Sequence, residues 1–180
     1  MIIVLILICV LILLVIVCYV YYGGLNTVIC RVENQKEEVI VYEPIIGDYK
    51  KTSKYTNKIY YELLEKEKIE TTRGIAIFYD NPRQTDKSKL RSDVGCILNN
   101  PDHATLAKLS ANYLVKTLPG NSFITTEFPI KGSLSFIIGV IKAYPALTKY
   151  CQKEGIKESP ITEIYDIPNK KIIYRKEVVR

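Results

Sequence analysis

The pattern of hydrophobic and polar positions divides the chain into an apolar N-terminal run and a longer amphipathic segment. Residues 2–22 contain no charged residue, proline, glycine, asparagine or glutamine, and three of the last four are tyrosines. As a helix, this run would be about 31 Å long, against roughly 30 Å for the hydrocarbon core of a bilayer. Tyrosine suits the headgroup layer. The pattern predicts a transmembrane anchor, a juxtamembrane tether and one folded domain, at 1–22, 23–35 and 36–180.

Two similar series of elements follow the anchor. The first predicts strand, helix, strand and strand, at 37–42, 54–68, 74–79 and 93–98. The second repeats this order at 122–130, about 134–154, 161–165 and 171–179. A short helix at 104–113 and an extended piece at 115–118 join them. Two such units most simply form one antiparallel sheet with both helices on one face and a groove between the halves, an α+β fold. Pro145 is expected to kink or split the second long helix.

Charge and cysteine content indicate the compartment. The net charge is +6, and none of the 25 Lys and Arg residues precedes Arg31. The positive-inside rule therefore places the domain in the cytosol, next to an anionic leaflet. A cleaved signal peptide is the alternative, but the run lacks a basic start and a small-residue cleavage site. The five cysteines have no motif spacing, which favours a reducing compartment.

Several kinds of chemistry are absent from the sequence. His103 is the only histidine, which excludes a histidine-based metal site and leaves at best an incomplete triad. The phosphate-loop, dinucleotide-binding, nucleophile-elbow and paired-cysteine motifs are missing as well. The positive charge is spread along the domain and no motif reads DNA or RNA, so we expect no direct nucleic-acid binding. We therefore expect no metal, no cofactor and no catalytic residue.

Alternation along the strand at 161–165 places Glu163 and Tyr165 on one face of the sheet. A carboxylate flanked by an aromatic ring inside a groove would suit a cationic or polar ligand. The alternative is a glutamate exposed to solvent at a sheet edge.

Four stretches of the domain resemble the GyrI-like domain family: IFYDNP at 77–82, VGCIL at 94–98, YPAL at 144–147 and EIY at 163–165. The resemblance implies a duplicated strand-helix-strand-strand fold. It also implies that Glu163 lies in the groove between the repeats, where the matching glutamate of many members meets cationic ligands or assists hydrolysis. On this basis Glu163, Tyr165, Tyr79 and Phe128 are the candidate ligand-binding residues.

The combination of an N-terminal span with this domain is similar to a membrane-anchored branch of the family. That branch acts as a receptor for autophagy of the endoplasmic reticulum (reticulophagy) and is linked to repair of DNA–protein crosslinks. The likeness implies a single-pass, non-enzymatic binding domain on the cytosolic face of the endoplasmic reticulum membrane, with autophagy or other cytosolic protein partners. The branch carries a long tail beyond its domain that binds autophagosomal ubiquitin-like proteins, and because this sequence shows no such tail, we expect its direct binding to those proteins to be weak or absent. The alternative is a small-molecule binder or hydrolase that uses Glu163.

Overall fold

The computed structural model describes residues 1–179. The apolar run forms helix α1, Ile2–Tyr21, whose mean hydropathy is 3.7 and of which no residue is buried. Its length and composition are sufficient to cross a membrane.

Residues 22–179 contain one eight-stranded antiparallel sheet and three further α-helices. The strands are β1 Arg31–Asn34, β2 Glu38–Ile46, β3 Arg73–Phe78, β4 Arg91–Ile97, β5 Leu114–Leu118, β6 Ser122–Pro129, β7 Ile161–Asp166 and β8 Lys171–Glu177. The helices are α2 Thr52–Glu62, α3 His103–Ser110 and α4 Leu134–Lys153. A π-helical turn, Leu63–Glu67, extends α2.

The strand order is β1-β6-β8-β7-β3-β4-β2-β5. One repeat, β2-α2-β3-β4, therefore occupies three neighbouring strands, and the other, β6-α4-β7-β8, occupies the next three in mirrored order. β3 and β7 pair at the seam, and α2 and α4 both pack on the same face. The predicted α+β fold of two strand-helix-strand-strand repeats is confirmed.

The helix-free face of the sheet is strongly concave. The Arg175 guanidinium of β8 donates to the Glu38 carboxylate of β2 over 2.7 Å, although these strands lie four positions apart. In a flat sheet four strand spacings would be about 19 Å, so the sheet must curl toward this face. The curl encloses a second apolar layer made of Ile40, Ile75, Ile77, Ile97 and Ile164.

The segment predicted as a tether is docked on the domain. Its last residues form β1, which pairs with β6, and the Ile29 carbonyl accepts a hydrogen bond from the Thr126 hydroxyl over 2.9 Å. Val28 and Cys30 pack against the core under α4. Because Arg31–Asn34 is short and polar, its sequence carries no strand signal, and the free edge of β6 decides its conformation.

Helix α4 is a single helix across Pro145 and is not split there. Pro145 is exposed, while Ala143 and Leu147 on either side are fully buried. Tertiary packing of the buried positions therefore outweighs the one hydrogen bond that proline removes.

Candidate ligand site between the repeats

The centre of the sheet presents Glu163 to the helix-covered face. In the β3–β7 pair, Glu163 lies opposite Ala76 and Tyr165 lies opposite Gly74. A Cβ on Gly74 would lie 3.2 Å from the Tyr165 ring, so the glycine leaves the space that the ring occupies. Small residues on β3 thus make room at the seam for the larger side chains of β7. The predicted shared face of Glu163 and Tyr165 is confirmed.

Two tyrosines hold the Glu163 carboxylate. The Tyr144 hydroxyl, on α4, donates to Oε1 over 2.8 Å, and the Tyr165 hydroxyl, on β7, donates to Oε2 over 2.7 Å. Glu163 is 6% exposed. Within residues 1–179, no lysine or arginine forms an ion pair with it. The site is therefore a buried carboxylate stabilised by phenols rather than by a cation.

Burial dominates the protonation equilibria of this cluster. Burial raises the pKa of Glu163, and the hydrogen bonds from Tyr165 and Tyr144 offset part of that increase. Burial also raises the pKa of both tyrosines, and the neighbouring Glu163 carboxylate raises it further. The phenols therefore keep their protons and act as donors at any physiological pH.

Aromatic side chains surround the carboxylate. The Phe136 ring lies 5.7 Å from the Tyr165 ring, and the Tyr174 ring lies 6.1 Å from the Tyr144 ring. The Tyr174 hydroxyl is buried and has no hydrogen-bond partner among the described residues. Phe136 is 37% exposed and is the most exposed ring of this group.

The structure brings together only two of the four candidate residues. Phe128 is 1% exposed and packs in the core beneath α4, two strands from the seam. Tyr79 lies on the concave face, opposite to Glu163, where its hydroxyl donates to Asp93 Oδ2 over 2.7 Å and Lys116 contacts the same carboxylate. Glu163 itself is buried and does not face an open cleft in this structure. The role of Glu163 and Tyr165 in ligand binding stays a prediction.

Sequence reasoning missed Tyr144, Phe136 and Tyr174. Tyr144 lies in the YPAL stretch but also on the apolar stripe of α4, which is typical of a core position. Phe136 occupies an ordinary apolar position, and the packing of α4 on the sheet brings its ring to Tyr165. Tyr174 lies directly opposite Glu163 in the β7–β8 pair, so the register of those two strands places it there.

Comparison with known proteins agrees with this architecture. No known family profile matches the chain. It is 30% identical over 99 residues to testis-expressed protein 264 of Homo sapiens, which is 52% of this chain and 32% of that protein. It is 25% identical over 101 residues to a DNA gyrase inhibitor of Escherichia fergusonii, which is 56% of this chain and 64% of the inhibitor. The matches thus span about a third of the length of one relative and under two thirds of the other.

Solved structures share the fold at low sequence identity. The C-terminal domain of EcmrR superposes with a TM-score of 0.61 at 13% identity and covers 85% of this chain and 98% of that domain. SAV2435 bound to tetraphenylphosphonium superposes with a TM-score of 0.55 at 11% identity, over 83% of this chain and 93% of that protein. These likenesses show that the domain has the two-repeat fold of these proteins.

Proposed function

We propose that this protein is a membrane-anchored binding protein whose GyrI-like domain takes up a lipophilic cation at Glu163. The observation that carries this proposal is a buried carboxylate with two phenol donors and no cationic partner among the described residues.

The energetics favour a binding role over a purely structural one. An ionised carboxylate in the protein interior costs several kcal/mol unless it is paired with a cation. An apolar residue of similar volume would serve the fold better at this position. A cation that entered beside Glu163 would supply the missing opposite charge.

The side chains around Glu163 define the chemistry of that cation. Phe136, Tyr144, Tyr165 and Tyr174 are the rings around the carboxylate, and a ring face attracts an organic cation by about 0.5–2 kcal/mol. A lipophilic cation with aromatic groups matches both the charge and the lining. The similar fold of SAV2435, which binds tetraphenylphosphonium, supports this choice of probe.

The proposal includes entry by side-chain rotation. Because Glu163 is 6% exposed, a ligand reaches it only when the covering side chains move. Phe136 is the most exposed ring of the cluster and lies near the start of α4, so we expect it to swing outward as the ligand enters.

The anchor places this domain at a membrane. We propose that α1 spans the endoplasmic reticulum membrane once and that the domain faces the cytosol. The charge-free helix, the position of all 25 Lys and Arg residues after it and the likeness to testis-expressed protein 264 support this arrangement. Protease added to intact microsomes should digest the domain, and alkaline carbonate should leave α1 in the membrane. A protected or released domain would contradict the anchoring.

A role in reticulophagy would follow from the resemblance to the receptor branch and from a cytosolic domain. The domain would then present its surface to cytosolic protein partners, including those of autophagy. Proximity labelling from the domain during starvation tests this role. Enrichment of autophagosomal proteins over a matched anchor that carries an unrelated domain is the expected result, and equal labelling would refute it.

The decisive test of the ligand site uses the full chain in detergent. Tetraphenylphosphonium should raise the melting temperature of the wild-type protein, and Glu163→Gln should bind it about 10- to 150-fold more weakly, the equivalent of a charged hydrogen bond. Glu43→Gln, an exposed glutamate paired with Lys58, is the matched control and should bind as wild type does. Equal affinities for wild type and Glu163→Gln would refute the site. We also propose that the domain has no hydrolase activity, so ester substrates should be cleaved no faster by wild type than by Glu163→Gln.

A further inference from the structure

An open cleft lies where α1 meets the domain. The last turn of α1, the loop between β6 and α4, and the turn between β7 and β8 enclose a volume of about 520 Å³. The cleft is lined by Tyr21, Ile130, Lys131, Gly132, Ile167 and Lys170. Two lysines and two isoleucines thus face one cavity at the end of an apolar helix.

Direct contacts hold the end of α1 against this part of the domain. Lys131 Nζ donates to the Tyr21 carbonyl over 2.8 Å, and Lys142 Nζ donates to the Gly24 carbonyl over 2.6 Å. The Tyr22 ring closely approaches Gly132, where an added Cβ would lie 3.0 Å from it. If α1 spans a bilayer, the cleft therefore opens within a few ångströms of the end of the hydrocarbon core, at the depth of the headgroups.

The charge of the cleft is uncompensated. Among residues 1–179, neither Lys131, Lys142 nor Lys170 forms an ion pair with a carboxylate. Asp166, at the start of the β7–β8 turn, accepts hydrogen bonds from the backbone and side chain of Asn169 instead. Lys131 uses one donor on Tyr21 and has two left for a ligand.

The apolar residues of the cleft favour a phospholipid over a free anion as its ligand. Ile167 is 59% exposed beside the two lysines. A soluble phosphate would leave that side chain in water, whereas the glycerol backbone and first methylenes of a phospholipid would cover it. Positive side chains just outside a cytosolic leaflet attract its anionic lipids.

We propose that this cleft binds the headgroup of an anionic phospholipid in the leaflet where α1 emerges. Lys131 and Lys170 contact the phosphate, and Ile130 and Ile167 contact the glycerol and the start of the acyl chains. The bound lipid fixes the domain in one orientation on the membrane. This inference rests on the proposed membrane anchoring and is independent of the Glu163 site.

Native mass spectrometry of the full chain in detergent tests the proposal. Wild type should retain phosphatidylglycerol in preference to phosphatidylcholine. The double variant Lys131→Gln/Lys170→Gln should bind phosphatidylglycerol about 25-fold more weakly, at about fivefold for each lysine. The control Lys54→Gln/Lys149→Gln removes the same charge from two exposed positions outside the cleft and should retain wild-type affinity. Glycerol 3-phosphate in solution should compete poorly.

The lipid site would be overturned if wild type retained the two lipids equally, or if the control variant lost as much phosphatidylglycerol affinity as the double variant. Full competition by glycerol 3-phosphate would also overturn it, because the cleft would then be a site for a free phosphate. If the double variant melts below wild type, Lys170→Gln alone decides, because the Lys170 ammonium group has no hydrogen-bond or ion-pair partner among residues 1–179. Lys170→Gln should weaken phosphatidylglycerol binding about fivefold, and unchanged binding would refute the site. Alkaline carbonate extraction of the same preparations separates the two proposals. Release of wild type from membranes refutes the anchoring, whereas retention without headgroup preference refutes only the lipid site.

Discussion

Glu163→Gln neutralises the buried carboxylate while keeping its volume and its capacity for hydrogen bonds. The Tyr144 and Tyr165 hydroxyls each donate to one carboxylate oxygen in the wild-type protein. In the variant the amide oxygen can accept from one phenol and the amide nitrogen can donate to the other, as a protonated glutamic acid would. The substitution therefore removes one charge and little else.

The sign of the stability change follows from the direction of the pKa shift. Burial raises the pKa of Glu163 in the folded protein above its value in the unfolded chain. Below the unfolded value, near 4.3, both states hold the proton and the charge contributes nothing. As pH rises from there to the folded pKa, the unfolded chain loses its proton first, so the free energy of unfolding falls. Each unit of increase in pKa costs about 1.4 kcal/mol of stability at neutral pH.

The assay is urea unfolding of the full chain in detergent at pH 4 and pH 7. The two proteins should have similar free energies of unfolding at pH 4, and Glu163→Gln should be equal or more stable at pH 7. With tetraphenylphosphonium present at pH 7, wild type should become the more stable protein, because the cation stabilises its ionised carboxylate. The affinity of wild type for the cation should rise as the pH passes through the pKa of Glu163 in the folded protein. Glu43→Gln should follow wild type throughout. If Glu163→Gln unfolds more easily at pH 7 and no cation stabilises either protein, the glutamate is structural and the reasoning fails.

Three further substitutions test the surrounding structure. Tyr144→Phe removes one hydrogen-bond donor to Glu163. In the same urea assay, we expect the free energy of unfolding to fall by about 1.5–3 kcal/mol at pH 7 and by less at pH 4, and equal falls at the two pH values would contradict a charged acceptor. Gly139→Ala places a Cβ against the Tyr174 hydroxyl and should lower the free energy of unfolding by about 1–3 kcal/mol. Tyr174→Phe removes that hydroxyl, which has no partner among the described residues, so the double variant should regain most of the lost stability in a double-mutant cycle. Glu38→Ala leaves Arg175, which is 3% exposed, without its carboxylate partner. Calorimetry should show that the free energy of unfolding falls by about 3–5 kcal/mol. A fall of less than about 1 kcal/mol would mean that the curl of the sheet does not depend on this pair.

The sequence predicts the repeats better than it predicts the site. Alternation in β7 identifies the shared face of Glu163 and Tyr165 because side chains two residues apart on a strand point to the same side of the sheet. The run GIAIFY in β3 is apolar on both faces, so periodicity cannot tell which face Tyr79 occupies, and the structure places it opposite to Glu163. Tyr144 has the spacing of a core residue on α4, and its contact with Glu163 depends on how α4 crosses the sheet. Such long-range packing leaves no local signal in the chain.

The docked segment between α1 and β1 changes how this protein would move at a membrane. A flexible linker of 13 residues has a root-mean-square span of about 20 Å, which would let the domain sweep through a broad volume above the surface. Here β1 pairs with β6, and two lysines hold the end of α1 to the domain. We therefore expect α1 and the domain to move together as one rigid unit. If α1 spans a bilayer as proposed, a change in bilayer thickness that tilts α1 would rotate the whole domain by the same angle and would turn its exposed side chains toward or away from their neighbours.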